Sequence, residues 1–348
     1  MPLSPTLGTI RNRYFQMGLE GTYKTGIAAT RRYPWTAVPT VDPHLTFPTA
    51  DTGTLDMAIA PYPTASDYLM ALGPSQLASN DTPTIISAGV MGGLALTTSG
   101  TSKTLTAAPA SLTQDVFDTY TGEWGDDSTD VYQLTGGVLD SFTLDYPQDM
   151  GPITFTGSML FSKGPGGTGG TTYPFTPTGG LSVDTVPVYL FMGDTEFYVN
   201  DTAGAIETTK LTNIAYGASF SVNNNIDRKR WANGSNTRFQ VQGLSRGPRV
   251  VNFSLIGAKQ SAWITEVTNW LAASPTERFF GLKTTSPVNA SAGIPHSLDI
   301  RMPGFWLTRS EQTIINNTAF QLTAQNIYDT GLGYPFRMVS TSTRAALT

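Results

Sequence analysis

Alternating apolar and polar residues form the strongest pattern along the chain and indicate β-strands. Phe142, Leu144 and Tyr146 alternate with polar positions, and a matching alternation returns over 153–161. A Gly- and Pro-containing turn separates the two runs, which predicts an antiparallel hairpin over 138–161. The same pattern predicts further strands at 55–60, 214–222, 237–243, 250–256, 277–284, 297–307, 318–328 and 334–342.

Two segments have helical rather than strand periodicity. In 261–273, the apolar residues Ile264, Val267 and Leu271 recur at spacings of three and four, and Pro275 ends the pattern. A shorter apolar stripe at 66–72 is followed by Gly-Pro and predicts a second helix. Each half of the chain therefore reads as many strands with one flanking helix.

A Gly-rich segment over 163–172 divides the chain near its middle and is typical of a flexible linker. We predict a first β domain over 1–165, a linker over 166–180 and a second β domain over 181–348. Each half has the order strand, helix, strands, hairpin, which indicates a duplicated fold. The hairpin at 138–161 has two possible counterparts, the final strand pair at 318–342 or the pair within 214–256.

The composition narrows the possible functions. The 348 residues include no Cys, 21 Lys plus Arg and 26 Asp plus Glu, so the net charge is 21 − 26 = −5. Without Cys there is no disulfide framework, thiolate zinc site or Cys nucleophile. A mildly acidic chain is unsuited to gripping nucleic acid over a broad surface. Charged residues make up 14% of the chain and Thr supplies 52 positions, which suits a strand-rich subunit covered by partners.

No motif in the sequence points to catalysis. His44 and His296 stand beside prolines, without a neighbouring Ser or carboxylate arrangement typical of a triad. The acidic run 126–130 lacks the spacing of a calcium loop, so we interpret it as a solvated turn. Nucleophile-elbow, zinc-helix and dinucleotide motifs are absent. We therefore predict a protein that is not an enzyme, with no catalytic residues, metal or cofactor.

One basic run stands out against this neutral background. Three consecutive basic residues lie beside an acid and an aromatic within the polar stretch 223–236, namely Asp227, Arg228, Lys229, Arg230 and Trp231. Arg and Trp are enriched at the centres of protein interfaces. We expect an inter-subunit contact loop here. A solvated loop tip and a DNA-binding loop are the alternatives.

Several segments, taken in order, resemble the major tail tube proteins of long, non-contractile-tailed bacteriophages. The opening segment 15–28 is similar to the G-x-E-x-x-x-G-T start of that family, and 120–137 with the hairpin after it resembles its Y-G-D…Y…G strand region. The segment 192–201 resembles the strand that opens the second half. The resemblance covers most of the chain, although each motif consists of turn residues.

The resemblance implies tail-tube-like β-sandwich or barrel domains, each flanked by a helix, that close into rings of six around a wide lumen. Two domains per chain imply a homotrimeric, pseudo-hexameric ring. Stacked rings would form the virion tail tube, the conduit through which double-stranded DNA passes without specific binding. Other tail proteins would bind the tube ends.

Two other functions remain open from the residues. A head decoration or other virion β-sandwich protein would bind a capsid lattice, and a carbohydrate-binding adhesive domain would use the aromatic and Asn- and Thr-rich loops. The sequence has no apolar run long enough for a signal peptide or a membrane span. We expect a chain made in the host cytoplasm, without a membrane anchor.

Overall fold

The chain is mainly β, as predicted, with large antiparallel sheets and two α-helices. The structure is a computed structural model. It describes residues 14–35, 37–40, 49–50, 58–59, 68–90, 92–109, 118–125, 131–162, 187–229, 243–314 and 317–344. None of the helices in these ranges is long and apolar enough to cross a membrane.

The elements fall into two sets in chain order. The first set, which we call the first repeat, contains β1 (Tyr14–Leu19), β2 (Arg31–Tyr33), β3 (Ala37–Thr40), β4 (Thr49–Ala50), β5 (Ala58–Ile59), β6 (Tyr68–Gln76), α1 (Thr82–Val90), β7 (Leu94–Ser99), β8 (Ser102–Ala107), β9 (Tyr120–Gly125), β10 (Val131–Tyr146) and β11 (Thr154–Phe161). The second repeat contains β12 (Thr195–Asn200), β13 (Ala215–Asn223), β14 (Ile226–Lys229), β15 (Gly243–Arg246), β16 (Val250–Ala258), α2 (Ser261–Leu271), β17 (Arg278–Ser291), β18 (Ile294–Ile314), β19 (Asn317–Asn326) and β20 (Arg337–Ser342).

The same order of strand pairing occurs in both repeats. In the first, β1 pairs β9, β9 pairs β10, β10 pairs β11, β11 pairs β6 and β6 pairs β3. In the second, β12 pairs β17, β17 pairs β18, β18 pairs β19, β19 pairs β16 and β16 pairs β13. Every pair is antiparallel. The β7–β8 hairpin is an addition of the first repeat, and its β8 pairs with β20.

Two long strands, β10 and β18, change partners along their length. β10 pairs with β9 up to Gly137 and with β11 beyond it, and β18 pairs with β17 up to Gly304 and with β19 beyond it. Each strand then carries one unpaired extra residue three positions later, Asp140 in β10 and Leu307 in β18. Such a bulge bends a strand and re-aims its side chains. Matching change points and bulges make the two strands equivalent.

This equivalence assigns the counterpart of the predicted hairpin. β10 and β11 confirm the hairpin over 138–161, and its counterpart is the β18–β19 hairpin, which places Phe155 and Phe320 at equivalent positions. Both counterparts expected from the sequence are therefore wrong. An alternation of period two matches any amphipathic hairpin, so it cannot choose among them.

Each repeat is a sandwich of two layers with an aromatic centre. In the first, the Trp35 ring stacks near Phe15 of β1 and lies 4.9 Å from the Phe155 ring of β11. In the second, Phe253 of β16 lies 5.3 Å from Phe280 of β17. The strands that face each other therefore belong to different layers, and burial of their rings holds the layers together.

The two repeats are not separate domains. β10 pairs directly with β13, residue 141 opposite 223 through 146 opposite 218, so one sheet runs from the first repeat into the second. A continuous hydrophobic core also spans both repeats. The sequence indicated two β domains joined by a linker, but strands of both halves belong to one sheet, because an edge strand of the first repeat pairs with an edge strand of the second. The segment itself lies outside the described residues, and the boundaries at 165 and 180 stay predictions.

The two helix predictions had different outcomes. The helix expected at 261–273 is confirmed as α2 (Ser261–Leu271). The helix expected at 66–72 is wrong where the structure describes it, because 68–72 belongs to strand β6, which has partners on both edges. The first-repeat helix is α1, where the backbone carbonyl of Asp81 accepts the first helical hydrogen bonds from the N–H groups of Thr84 and Ile85. An acidic cap followed by an early Pro83 was the available signal. Of the strand predictions, 237–242 and most of 55–60 lie outside the described residues.

Candidate assembly interface

The described strands include an eight-strand row whose two end strands each have one edge without a described partner. Its order is β3, β6, β11, β10, β13, β16, β19 and β18. β3 pairs with β6 alone, and residues 305–314 of β18 pair with β19 alone among the described strands. An unpaired strand edge presents free backbone donors and acceptors to another chain. Each end of the row is therefore a site for strand addition.

Pairing at the middle of the row shows how the repeats can join. The C-terminal half of β10 uses both edges, with β11 on one side and β13 on the other. The equivalent half of β18 has the same geometry and lacks the second partner among the described residues. The two end strands of the row therefore match the two strands that pair in its middle: β18 corresponds to β10, and β3 corresponds to β13.

The open edge of β18 carries charges where β10 carries apolar residues. Phe142 and Leu144 in β10 are buried, and Arg309 and Glu311 stand at the equivalent positions. Arg309 Nη2 lies 2.7 Å from Glu311 Oε1, and its guanidinium lies over the Phe320 ring. Charged side chains on an edge oppose indiscriminate pairing. This edge therefore suits a partner in a defined register.

Polar contacts fasten the start of α1 to the second repeat. Ser79 Oγ lies 2.8 Å from His296 Nδ1, Thr82 Oγ1 bonds to Ser340 Oγ, and Thr343 donates to Asn80 Oδ1. Ser79 and His296 are 217 residues apart in the sequence, so this Ser–His contact was missed. Both side chains are buried, at 0% and 2% exposure, which excludes access of a substrate carbonyl in this conformation. The contact therefore acts as a structural bond between repeats.

The predicted contact loop lies partly on a two-stranded arm. Asp227, Arg228 and Lys229 belong to β14, which pairs with β15, and Lys229 bonds to Asp227. Arg230 and Trp231 lie outside the described residues. The arm, β14 with β15, extends the β13–β16 pair. The sequence pattern did not predict these two strands, because the stretch is polar throughout.

The base of this arm packs on the other repeat. Ile226 and Leu244 contact the buried pair Val138 and Leu160 of the first-repeat hairpin. The Ile226 backbone N–H donates to Asp140 Oδ1 over 2.8 Å. Burial raises the pKa of Asp140, and the Ile226 hydrogen bond and the Arg228 charge oppose that shift. The arm of one repeat is thus seated on the neighbouring repeat.

The first repeat carries an arm at the equivalent place. The small β4–β5 pair lies in the connection between β3 and β6, as β14–β15 lies between β13 and β16. Within the chain, the base of the β14–β15 arm packs against the first repeat. Both repeats therefore carry a two-stranded arm between equivalent strands.

A groove of about 600 Å³ beside β12 is lined by four charged residues, Asp194, Glu196, Lys210 and Lys283. Glu196 accepts hydrogen bonds from Lys210 Nζ over 2.7 Å and from Tyr198 OH over 2.6 Å. The bond from Lys210, followed by that from Tyr198, lowers the pKa of Glu196. A general base instead needs a pKa that is raised toward neutral pH. The groove therefore resembles a structural ion-pair network.

The described part of the chain contains no group of three His, Asp or Glu residues that could hold a metal ion. The acidic run 126–130 and His44 lie outside it. Comparisons with protein-family models and with curated proteins found no match to this chain.

Proposed function

We propose that this protein is a structural subunit that assembles head to tail into rings, and that the rings stack into the tail tube of a long-tailed, non-contractile bacteriophage. The observation that carries the proposal is the pairing of β10 with β13, which joins the two repeats within the chain. β18 is equivalent to β10 and β3 is equivalent to β13, and among the described residues each has an edge without a partner strand. A contact between two different surfaces of identical chains closes into a ring when its rotation divides the circle.

The in-chain join supplies a register for the contact between chains. Ala218–Ser221 of β13 and Ala37–Thr40 of β3 occupy equivalent positions beside β16 and β6. Because β10 pairs 143–146 with 218–221, the equivalent residues 310–313 of β18 would pair with 37–40 of a second copy. In this register six repeats from three chains form one homotrimeric ring. The two arms then extend toward neighbouring repeats, and the basic run 227–231 contacts the next ring.

The charge of such a tube agrees with a conduit function. Three chains at −5 each would give a ring of charge −15. A tube of negative or neutral character repels phosphate and lets double-stranded DNA slide without specific binding. Catalysis, a metal or a cofactor has no part in this function. Other tail proteins would bind the open ends of the tube, and the assembled protein would reside in the virion.

Negative-stain microscopy of the concentrated protein tests the proposal. We expect hollow tubes with an axial repeat of a few nanometres. Ser310→Pro and Glu311→Pro should each block ring closure. Successive strand residues direct their N–H groups to opposite sides, so one of the two variants leaves the β19 ladder intact. Thr97→Pro on the exposed strand β7 is the matched control and should assemble normally.

A second variant separates ring closure from stacking. Replacing Arg228, Lys229 and Arg230 with Glu should leave rings that fail to stack, with unchanged circular dichroism. A chain that stays monomeric at high concentration, also when mixed with tail-tip proteins, would overturn the proposal. Flat arrays on a capsid lattice without tubes would favour a head decoration protein instead.

A further inference from the structure

Strand β7 ends a second row of strands and has one open edge. This row runs from the N-terminal part of β18 through β20 and β8 to β7. Among the described strands, β7 pairs with β8 alone. All six residues of β7, Leu94–Ser99, are exposed. The outer edge of β7 is therefore accessible to another strand.

The β7 edge lacks the features that protect other edges of the molecule. The open edge of β18 carries Arg309 and Glu311, and β3 contains Pro39. β7 has no charged residue and no proline, and its pairing with β8 contains no bulge. Leu94 and Leu96 are 40% and 47% exposed. An uncharged six-residue edge strand with exposed leucines is suited to pairing with a strand of another chain.

The turn of the β7–β8 hairpin determines which backbone groups face the open edge. Ser99 lies opposite Ser102 across a two-residue turn, in which Gly100 has a φ of 59°. The pair that flanks such a turn is hydrogen-bonded, and bonded pairs then alternate with non-bonded pairs along the strands.

A bond at the far end of the hairpin agrees with this alternation, because the Ala108 N–H donates to the Gly93 carbonyl over 3.2 Å. The residues of β7 whose backbone groups face β8 are therefore Ser99, Thr97 and Ala95. Those whose backbone N–H and C=O groups face the open edge are Leu94, Leu96 and Thr98.

We propose that β7 pairs antiparallel with β7 of a second copy of this chain, about a two-fold axis that places Leu96 opposite Leu96 of the second copy. The backbone groups select this register. In an antiparallel pair an outward-facing residue must lie opposite another outward-facing residue. Only the register centred on Leu96 pairs all three of them, because it also places Leu94 opposite Thr98 of the second copy.

The side chains of the two hairpins complement each other in this register. Leu96 lies opposite Leu105 of β8, which is 4% exposed and belongs to the core. The leucines of both hairpins therefore form one row across four strands. The single charged residue of the hairpin is Lys103, whose Nζ donates to Thr98 Oγ1 over 3.2 Å. The two-fold axis places the two Lys103 side chains at opposite corners of the four-stranded sheet, so no like charges meet.

This contact does not rest on the head-to-tail assembly proposed above. It uses neither β3 nor β18, and a two-fold contact between identical surfaces closes after two chains. It therefore belongs to the free subunit in solution and not to the polar stack of rings.

Cysteine cross-linking reads the register, since the natural chain has no Cys. Ala95 would lie opposite Thr97 of the second copy as a non-bonded pair, with Cα atoms about 4.5 Å apart and within reach of a disulfide. Dilute Ala95→Cys and Thr97→Cys are oxidised separately and as a mixture, then run on a non-reducing gel. We expect at least ten times more disulfide-linked dimer in the mixture, because identical positions lie about 7–8 Å apart, beyond bridging distance. Equal yields in the three samples would overturn the proposal.

Charge variants at the two-fold axis provide a second measurement by sedimentation velocity. Leu96→Lys and Leu96→Glu should each be monomeric, because like charges would lie opposite each other, and an equimolar mixture of the two should restore the dimer. Leu271→Lys, on an exposed leucine of α2, is the matched control and should remain dimeric. A natural chain that sediments as a monomer at every concentration below tube formation, or a dimer that Leu96→Lys leaves intact, would overturn the proposal. Leu96→Lys should still form tubes at high concentration, so this result is separate from the test of the tube.

Discussion

Helices α1 and α2 sit at equivalent places in the two repeats and are held there by different chemistry. At α1 the glycine is on the helix, because a Cβ at Gly89 would lie 2.6 Å from the Phe142 ring of β10. At α2 the glycine is on the strand, because a Cβ at Gly257 would lie 2.5 Å from the Trp263 ring. Each repeat therefore achieves close helix–sheet approach by placing the large side chain on a different element.

The difference follows from position in the molecule. α1 lies between repeats and is covered by apolar side chains. α2 lies at the end of the row and is held by directional bonds, since Glu266 accepts from both Arg278 and Trp306 and Trp263 donates to the Phe320 carbonyl.

α1 also has polar contacts, from Ser340 to Thr82 and from Tyr33 to Thr84. The two helices therefore differ chiefly in apolar cover, which encloses all nine residues of α1 and leaves Ile264 of α2 exposed.

The largest effect is expected at the buried ion pair of α2. Glu266→Ala leaves the Arg278 guanidinium buried without its carboxylate, which should lower the free energy of unfolding by about 3–5 kcal/mol. Ser87→Ala in α1 removes one neutral hydrogen bond, to the Tyr120 hydroxyl, and should lower the free energy of unfolding by about 0.5–1.5 kcal/mol. Urea unfolding of both variants measures the difference.

Glu266→Gln is the matched control, since it keeps the shape and one acceptor oxygen. We expect it to be destabilised less than Glu266→Ala. Equal losses for Glu266→Ala and Ser87→Ala would mean that α2 is held by packing, as α1 is.

The second-largest effect is expected from truncating a buried isoleucine of α1, compared with an exposed isoleucine of α2. Ile85→Ala enlarges the small apolar cavity that Ile85 lines and should cost about 2–5 kcal/mol in the free subunit. Ile264→Ala removes an exposed side chain and should change the stability of the free subunit by less than about 1 kcal/mol. Thermal unfolding of dilute protein provides the comparison. A large loss of stability for Ile264→Ala in the monomer would show that other residues of the chain already cover Ile264.

The smallest effect is expected at the bulges of β10 and β18. Burial raises the pKa of Asp140, so the folded chain holds its proton more tightly than the unfolded chain. Between the ordinary pKa of an aspartate and the raised one, stability should therefore fall as the pH rises. Asp140→Asn should remove this slope while Leu307→Asn at the equivalent bulge preserves it. Unfolding midpoints measured from pH 3 to 7 decide the matter.

The sequence predicted the parts of the fold that depend on local periodicity. The hairpin over 138–161, helix α2 and the strands near 214–222 and 250–256 all follow from apolar spacing, because one buried face imposes its period on the residues. Helix α1 was missed because its nine residues are buried all round and leave no stripe. The 66–72 segment shows the converse, since a short apolar run fits a strand or a helix equally well.

The candidate interface was only partly within reach of the sequence. The basic run at 227–229 was identified by its contrast with a neutral chain. The apolar residues of α2 were identified as well, but the exposure of Ile264 and Leu271 was not predicted. Ile264 and Val267 look alike in the pattern. Val267 packs into the core and Ile264 faces outward, which depends on where the helix meets β18.

Local periodicity and composition by themselves determined a mainly β, cysteine-free, weakly charged chain, with the hairpin over 138–161 and helix α2 in place. The tertiary structure alone decided the register of the duplication, the join between β10 and β13, and the surfaces left open at β3, β18 and α2. The physical reason is that strand patterns specify which face is buried, while the choice of partner edge is a long-range contact that many alternating segments satisfy equally well.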